Sequence, residues 1–269
     1  MKLRNLLSVK SYSFFLVLIL ISCGEKNQEP VNQNQSISND TISSTQQNDP
    51  WDYENTDWEQ ISDSECRSAV QSPVDIVTED IIDARLAIID YEYEPFSMRI
   101  VDNGHTIQVY GTEDSFIAVE GIRYQFRQFH FHYPSEHTID GKQYPMEMHL
   151  VHQEEGTSNL VVLGIFLEEA ATSNEFLQKV LSEIPSQEAE EVTTEVQINL
   201  SDYIPPTQEY FTYIGSLTTP PCTVGVDWII FSEPLKASRE QLDSFAEHYS
   251  NNARPVQPLN NRRVLRSMK

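Results

Sequence analysis

Between Gln128 and His152 the chain reads QFHFHYPSEHTIDGKQYPMEMHLVH, which places five of its seven histidines in one short stretch of a 269-residue sequence. That stretch constrains the fold as well as the chemistry. From Phe126 to His132 aromatic and polar residues alternate at a period of two, so on a strand His130 and His132 leave one face together, with Gln128 beside them. The segment from Pro134 to Pro145 is rich in turn residues, with Asp140-Gly141 in its middle, and predicts a reversal. Met146 to Val151 then pairs alongside as a second strand, with Glu147 and His149 sharing a face. Two imidazoles on one strand and a third on its neighbour suit tetrahedral zinc, with nitrogen ligands at about 2.0–2.1 Å. The fourth position is left for water, the mark of a catalytic metal rather than a structural one.

Around this segment, apolar and β-branched runs with strand character recur at 98–110, 116–119, 124–133, 146–151, 160–167, 195–200, 210–215 and 226–231. Helical patterns are fewer. Residues 174–184 set Phe176, Leu177, Val180, Leu181 and Ile184 on one stripe, and Ser238 with Gln241 forms a capping box ahead of Leu242 and Phe245. Fourteen prolines add long irregular loops. The expected architecture is mainly β within the α+β class: a large, mostly antiparallel central sheet with short peripheral helices.

At the N-terminus Lys2, Arg4 and Lys10 precede an apolar run from Phe14 to Ile21, and Ser22 precedes Cys23. Residues 1–22 thus resemble a bacterial lipoprotein signal peptide with a lipobox, which makes Cys23 the expected lipidation site and membrane anchor. An ordinary signal peptide with a coincidental cysteine is the alternative. Residues 23–50 are rich in Asn, Gln, Ser and Thr and hold no aromatic side chain, so they read as a flexible tether, leaving 51–269 as one folded domain. The implied location is the bacterial cell envelope, periplasmic or surface-exposed. In that oxidising compartment Cys66 and Cys222 remain as an even pair able to form one disulfide, two buried thiols being the other possibility. A net charge of −23 argues against nucleic-acid binding, because a phosphate-binding surface needs a basic patch.

The ordered motifs then carry a family resemblance over almost the whole span from Trp51 to Arg263. They are Gln71-Ser72-Pro73-Val74, Asn103-Gly104-His105, QFHFH from Gln128 to His132, Ser135-Glu136-His137, YPMEMH from Tyr144 to His149, GSLTTPPC from Gly215 to Cys222, and RPVQPLN from Arg254 to Asn260. With these the chain resembles the α-class carbonic anhydrases. The resemblance implies a large twisted, mainly antiparallel sheet with the metal at the base of a cone-shaped cleft. It matches His130, His132 and His149 to the zinc ligands, and Gln128 and Glu147 to the acceptors that orient ligand imidazoles. Thr218 matches a gatekeeper threonine that gives its proton to a buried glutamate, here Glu136, and His105 matches the proton shuttle. Val151, Val162, Leu217, Thr219, Val226 and Trp228 match the pocket in which carbon dioxide docks, although packing alone would explain apolar residues there. His137 and His152 read as structural hydrogen-bonding residues, and His248 as a helix-surface residue. Ser68, Ala69 and Val224 depart from the family pattern and bear on loop detail only.

The activity implied is reversible hydration of carbon dioxide to bicarbonate and a proton, with zinc-bound hydroxide as nucleophile and His105 exporting the proton. Two other classes remain: a catalytically inactive carbonic-anhydrase-like surface binding module, and a zinc esterase. The oligomeric state is not legible.

Overall fold

The computed structural model describes residues 51–207 and 209–268. The expected signal peptide, tether and Cys23 lipidation site fall outside the described residues.

Thirteen strands form one sheet among the described residues. Across it run Glu191–Ile198, Phe96–Asp102, Ile107–Tyr110, Ile122–His132, Met146–Glu154, Leu160–Glu169, Val224–Phe231, Tyr210–Ser216, Leu265–Ser267 and Ile82–Ala84, in that order. Neighbours on this path are antiparallel except Leu160–Glu169 against Val224–Phe231 and Leu265–Ser267 against Ile82–Ala84. The two histidine strands therefore lie in the middle, where hydrogen bonds on both sides hold their side chains in place. Their register sets Glu147 opposite His132 and His149 opposite His130. The reversal between them is a small hairpin, Thr138–Ile139 with Lys142–Gln143, whose turn residues Asp140 and Gly141 have φ of 50° and 72°. Asp-Gly is suited to that left-handed pair.

One sheet face packs Phe129, Phe131, Met148, Leu150, Leu163 and Ile165 into the larger core cluster. The helices Glu175–Leu181 and Arg239–Ala246 cover it with Phe176, Leu177, Val180, Leu242 and Phe245. Each helix begins at a capping side chain: Asn174 Oδ1 accepts from Leu177 N, and Ser238 with Gln241 forms the reciprocal capping box that its sequence predicts, while the first helix ends at Leu181, short of the expected Ile184. The opposite face carries a second apolar cluster that includes Val151, Val162, Val226 and Trp228.

Three local expectations are corrected. The alternation from Phe126 to His132 is not continuous, because Val151 pairs with Gln128 while His152 pairs with Phe126, which leaves Arg127 as an extra residue. This β-bulge reverses the parity of the strand. It lets Phe126 share the core face with Phe129 and Phe131, while Gln128, His130 and His132 point the other way. Gly111 makes room for it: its N–H donates to Arg127 O, and a Cβ there would lie 2.5 Å from Phe126 O. Next, the run 98–110 is two strands rather than one, with His105 in the turn between them. Asn103 Oδ1 accepts from His105 N and Thr106 N at 3.0 and 2.9 Å, and Gly104 takes a φ of 82°. Finally, the strand expected at 195–200 runs from Glu191 to Ile198, and Leu200 opens a short 3-10 helix.

His152 faces away from His149, into the larger core. Its Nδ1–H donates to Leu150 O at 3.1 Å and its Nε2 accepts from Tyr93 Oη at 2.8 Å. Burial pushes its pKa from 6.5 to about 3, so the folded protein refuses a proton that the unfolded chain accepts. Stability should therefore fall as pH drops from about 6.5 towards 3, with a contribution of up to about 1.4 kcal/mol per pH unit from this group. Denaturant titrations across that window should show a shallower pH slope in His152→Gln, and an unchanged slope would refute this role.

Candidate metal centre

His130, His132 and His149 converge so that one ring nitrogen from each lies within 4.8 Å of the others. Hydrogen bonding settles which nitrogen. His130 Nδ1 donates to Gln128 Oε1 at 2.8 Å, His132 Nδ1 to the Asn252 carbonyl at 2.7 Å, and His149 Nε2 to Glu147 Oε1 at 2.8 Å. The lone pairs that remain are on His130 Nε2, His132 Nε2 and His149 Nδ1. Burial holds all three imidazoles below their ordinary pKa, His132 at about 3, so each is neutral at pH 7 and able to ligate. The ring of His149 also rests against Trp228, with centroids 4.8 Å apart.

The donor set fits zinc, and one further observation supports the fit. His132 Nε2 is buried without a hydrogen-bond partner, as is Glu136 Oε2, 3.4 Å away. A buried lone pair with no donor is costly, and a cation accepting it removes the cost. The other dense group, His137, Glu147 and His149, is a hydrogen-bond cluster instead. Glu147 Oε1 accepts from His149 and from His137 Nδ1, and its Oε2 accepts from the backbone N–H of Glu136 and of His137. Burial alone would raise this carboxyl, but His137 and His149 together hold it well below the usual range. From there a chain continues through His137 Nε2 to Tyr213 Oη at 2.7 Å and on to Ser72 Oγ at 2.8 Å. Gly164, opposite His149, leaves space for this carboxylate, since a Cβ there would come 3.0 Å from Glu147 Oε1.

Glu136 and Thr218 are both buried beside the imidazoles. Burial pushes the Glu136 carboxyl well up, opposed by the Arg254 N–H on Oε1 at 2.9 Å and by the Thr218 hydroxyl. Arg254 also donates from Nη1 to Gln71 Oε1 and the Ser72 carbonyl, both at 2.8 Å. Val151, Val162, Val226 and Trp228 sit in one cluster with Leu217 against it, and Thr219 is half-buried next to Thr218. The loop carrying both threonines is fastened to the segment before Gln71. Cys66 and Cys222 are disulfide-bonded, Glu65 N donates to Pro221 O at 2.8 Å, and Val224 N donates to Glu65 Oε2 at 2.6 Å.

His105 is half-buried in its turn, its ring stacked on Trp51 at 3.8 Å and 10°. Burial lowers its pKa, while Glu188 and Asp52 act in the opposite sense. His248 lies exposed just beyond the helix Arg239–Ala246. Sequence reasoning missed Trp51, Arg254 and Asn252. The last is central, because besides its carbonyl it supplies Nδ2 to the carbonyls of His105 and Phe131, both at 3.0 Å. Nothing in its local sequence announces a partner 120 residues away.

A large antiparallel sheet with three neutral, individually braced imidazoles at its centre defines a single-metal protein of the mainly β class. A family model described as eukaryotic-type carbonic anhydrase matches residues 53–268, and the chain belongs to that family. The carbonic anhydrase of Nostoc sp. is 38% identical over 202 residues, covering 74% of this chain and 76% of that one. That of Neisseria gonorrhoeae is 38% identical over 197 residues, covering 72% and 76%. Among solved structures, the α-carbonic anhydrase from Thermovibrio ammonificans in complex with the inhibitor sulfanilamide matches with a TM-score of 0.72 and 41% identity, over 74% of this chain and 88% of that one.

Proposed function

We propose that the chain is a zinc-dependent carbonic anhydrase that hydrates carbon dioxide reversibly to bicarbonate and a proton. The observation that carries this reading is the set of three free nitrogens on His130, His132 and His149, each opposed by an acceptor that fixes its tautomer. When bound there, zinc supplies Lewis acidity that brings a water pKa to about 7, the established figure for carbonic anhydrases.

The protein's own groups then act on orientation, exclusion and proton movement. An ionised Glu136 is only an acceptor, so Thr218 must donate to it and present its oxygen lone pairs to the centre, which fixes the direction of any donor held there. The Arg254 N–H and the Thr218 hydroxyl favour that ionised state against burial. Val151, Val162, Leu217, Val226 and Trp228, with Thr219 at the edge, form an apolar wall that suits a nonpolar linear molecule and excludes water. His105 accepts the released proton on its ring and passes it to solvent. Its lowered pKa keeps it neutral, and so able to accept, to lower pH than an ordinary histidine.

The N-terminal pattern supports lipid anchoring at Cys23 after removal of residues 1–22, with 23–50 as tether and the domain facing the periplasm or the cell surface. The Cys66–Cys222 disulfide agrees with an oxidising compartment. No helix among the described residues is long and apolar enough to cross a membrane. Retention of every ligand disfavours an inactive module, and an esterase reading has no observation of its own.

Stopped-flow hydration on a preparation of measured zinc content, run beside ester hydrolysis, tests the proposal. Zinc-loaded protein that hydrolyses esters but leaves carbon dioxide untouched would overturn it. In the same assay His105→Ala should slow turnover about ten- to a hundredfold in weak buffer and recover with added imidazole. Equal slowing at every buffer concentration would remove the shuttle role.

A further inference from the structure

Proton export puts a transient charge where the fold must accommodate it. With His105 as the shuttle, the reading on which this inference rests, the ring takes up a proton and becomes an imidazolium while half-buried and stacked on Trp51. Burial opposes that cation, so a nearby anion decides how readily the ring accepts. The charged groups that act on it are Glu188 first and Asp52 second. Two phenols complete its surroundings: the Tyr53 ring lies 6.4 Å from the His105 ring, and Tyr249 bonds to Asp102 at the start of the same turn. Burial pushes the pKa of both phenols up, so neither carries charge near neutral pH.

Glu188 is brought to this turn by the backbone. It lies in the loop between the helix Glu175–Leu181 and the strand Glu191–Ile198. That strand pairs Glu191 with Val101, and one step beyond the pair Ala189 N donates to Asp102 O at 2.7 Å. Ala189 takes a φ of 62°, a left-handed conformation uncommon for a residue with a Cβ. The Glu188 carboxylate then stands against Gly104: a Cβ there would lie 2.7 Å from Glu188 Oε1, so the missing side chain next to His105 is what leaves room for it. The other carboxylates nearby are engaged. Asp102 Oδ1 accepts from Gly104 N at 3.1 Å and from the Tyr249 hydroxyl, and Asp52 Oδ1 accepts from Asn55 N at 2.7 Å. Glu188 has neither a hydrogen bond nor an ion pair among the described residues, which leaves its full charge to act on the ring. We propose that Glu188 is a positioning residue for proton export, a carboxylate held against the His105 turn to stabilise the imidazolium that the shuttle becomes. The proton binds the His105 ring nitrogen and leaves from it to a buffer base, and Glu188 stays ionised throughout.

Glu188→Gln in the zinc-loaded protein tests it. Turnover in weak buffer should fall about two- to fivefold, the range of an exposed charge pair, while kcat/KM for carbon dioxide hydration stays unchanged, which shows that the variant folds. In proton NMR the His105 ring resonance, assigned by its loss in His105→Ala, should titrate at lower pH than in the parent, because the anion that offsets burial is gone. Both differences should shrink as salt is raised. Glu188→Asp keeps the charge and should recover most of the turnover, whereas Glu190→Gln, which removes the same charge two residues on, should behave as the parent. A Glu188→Gln protein with the parent's turnover and His105 titration overturns the proposal. So does a loss that Glu190→Gln reproduces, which would assign it to net charge, or one that Glu188→Asp shares and salt leaves untouched, which would assign it to contact. If His105→Ala itself loses nothing in weak buffer, the shuttle reading fails and the proposal falls with it.

Discussion

His149→Ala is expected to lose stoichiometric zinc and to hydrate carbon dioxide at least about a thousandfold more slowly than the parent. The metal contributes several kcal/mol of charge stabilisation, and each 1.36 kcal/mol is a factor of ten in rate. His149 is the sharpest place to test the ligand set, because it meets the cluster from a different strand and through Nδ1 rather than Nε2. Glu147→Gln is the companion experiment. The carboxylate accepts from two imidazoles and two backbone N–H groups, and a carboxamide must turn an NH2 towards donors on one side. The expected loss is about ten- to a hundredfold in zinc affinity, measured by chelator competition, with a smaller loss of turnover once zinc is saturating. Near-UV circular dichroism should show native packing in both variants. Full activity with one equivalent of zinc in His149→Ala would discard the ligand assignment.

The sheet and the ligands were legible because both depend on local pattern. Period-two alternation, an Asp-Gly reversal and capping residues act within a few positions, so 116–119 was read to the residue and the capping box at Ser238 was read correctly. The bulge at Arg127 was hidden because what accommodates it lies elsewhere in the sequence, at Gly111 just beyond the strand Ile107–Tyr110, where a Cβ would meet Phe126 O. The same holds for the site. Gln128 and Glu147 sit two residues from the histidines they orient, so strand geometry finds them. Asn252 and Arg254 reach His132 and Glu136 across more than a hundred residues, and only the tertiary fold brings them there. Trp51 stood out only as the start of the folded domain, and its stacking on His105 could not be foreseen from a lone tryptophan.

Removing the disulfide should have the second large effect, and mainly on stability. Cys66 and Cys222 are 156 residues apart, and closing a loop of that size contributes about 5 kcal/mol in the chain-entropy model, less whatever structure the unfolded chain retains. Both cysteines are buried beside Trp58, so serine in their place also puts two hydroxyls into an apolar cluster. For a domain of this size about 2–4 °C of melting temperature accompanies each kcal/mol, so Cys66→Ser with Cys222→Ser should melt about 10 °C lower or more. Activity should fall less. The loop bearing Thr218 stays attached through Glu65 to Pro221 and Val224, and through Gln71 Nε2 to the Cys222 carbonyl at 3.4 Å, but these bonds must then hold it without the covalent link. Calorimetry paired with hydration assays at 25 °C separates the two effects. A double variant that melts with the parent would show that the disulfide contributes nothing to stability, and one that keeps its melting temperature but loses turnover would show that its role is to place Thr218.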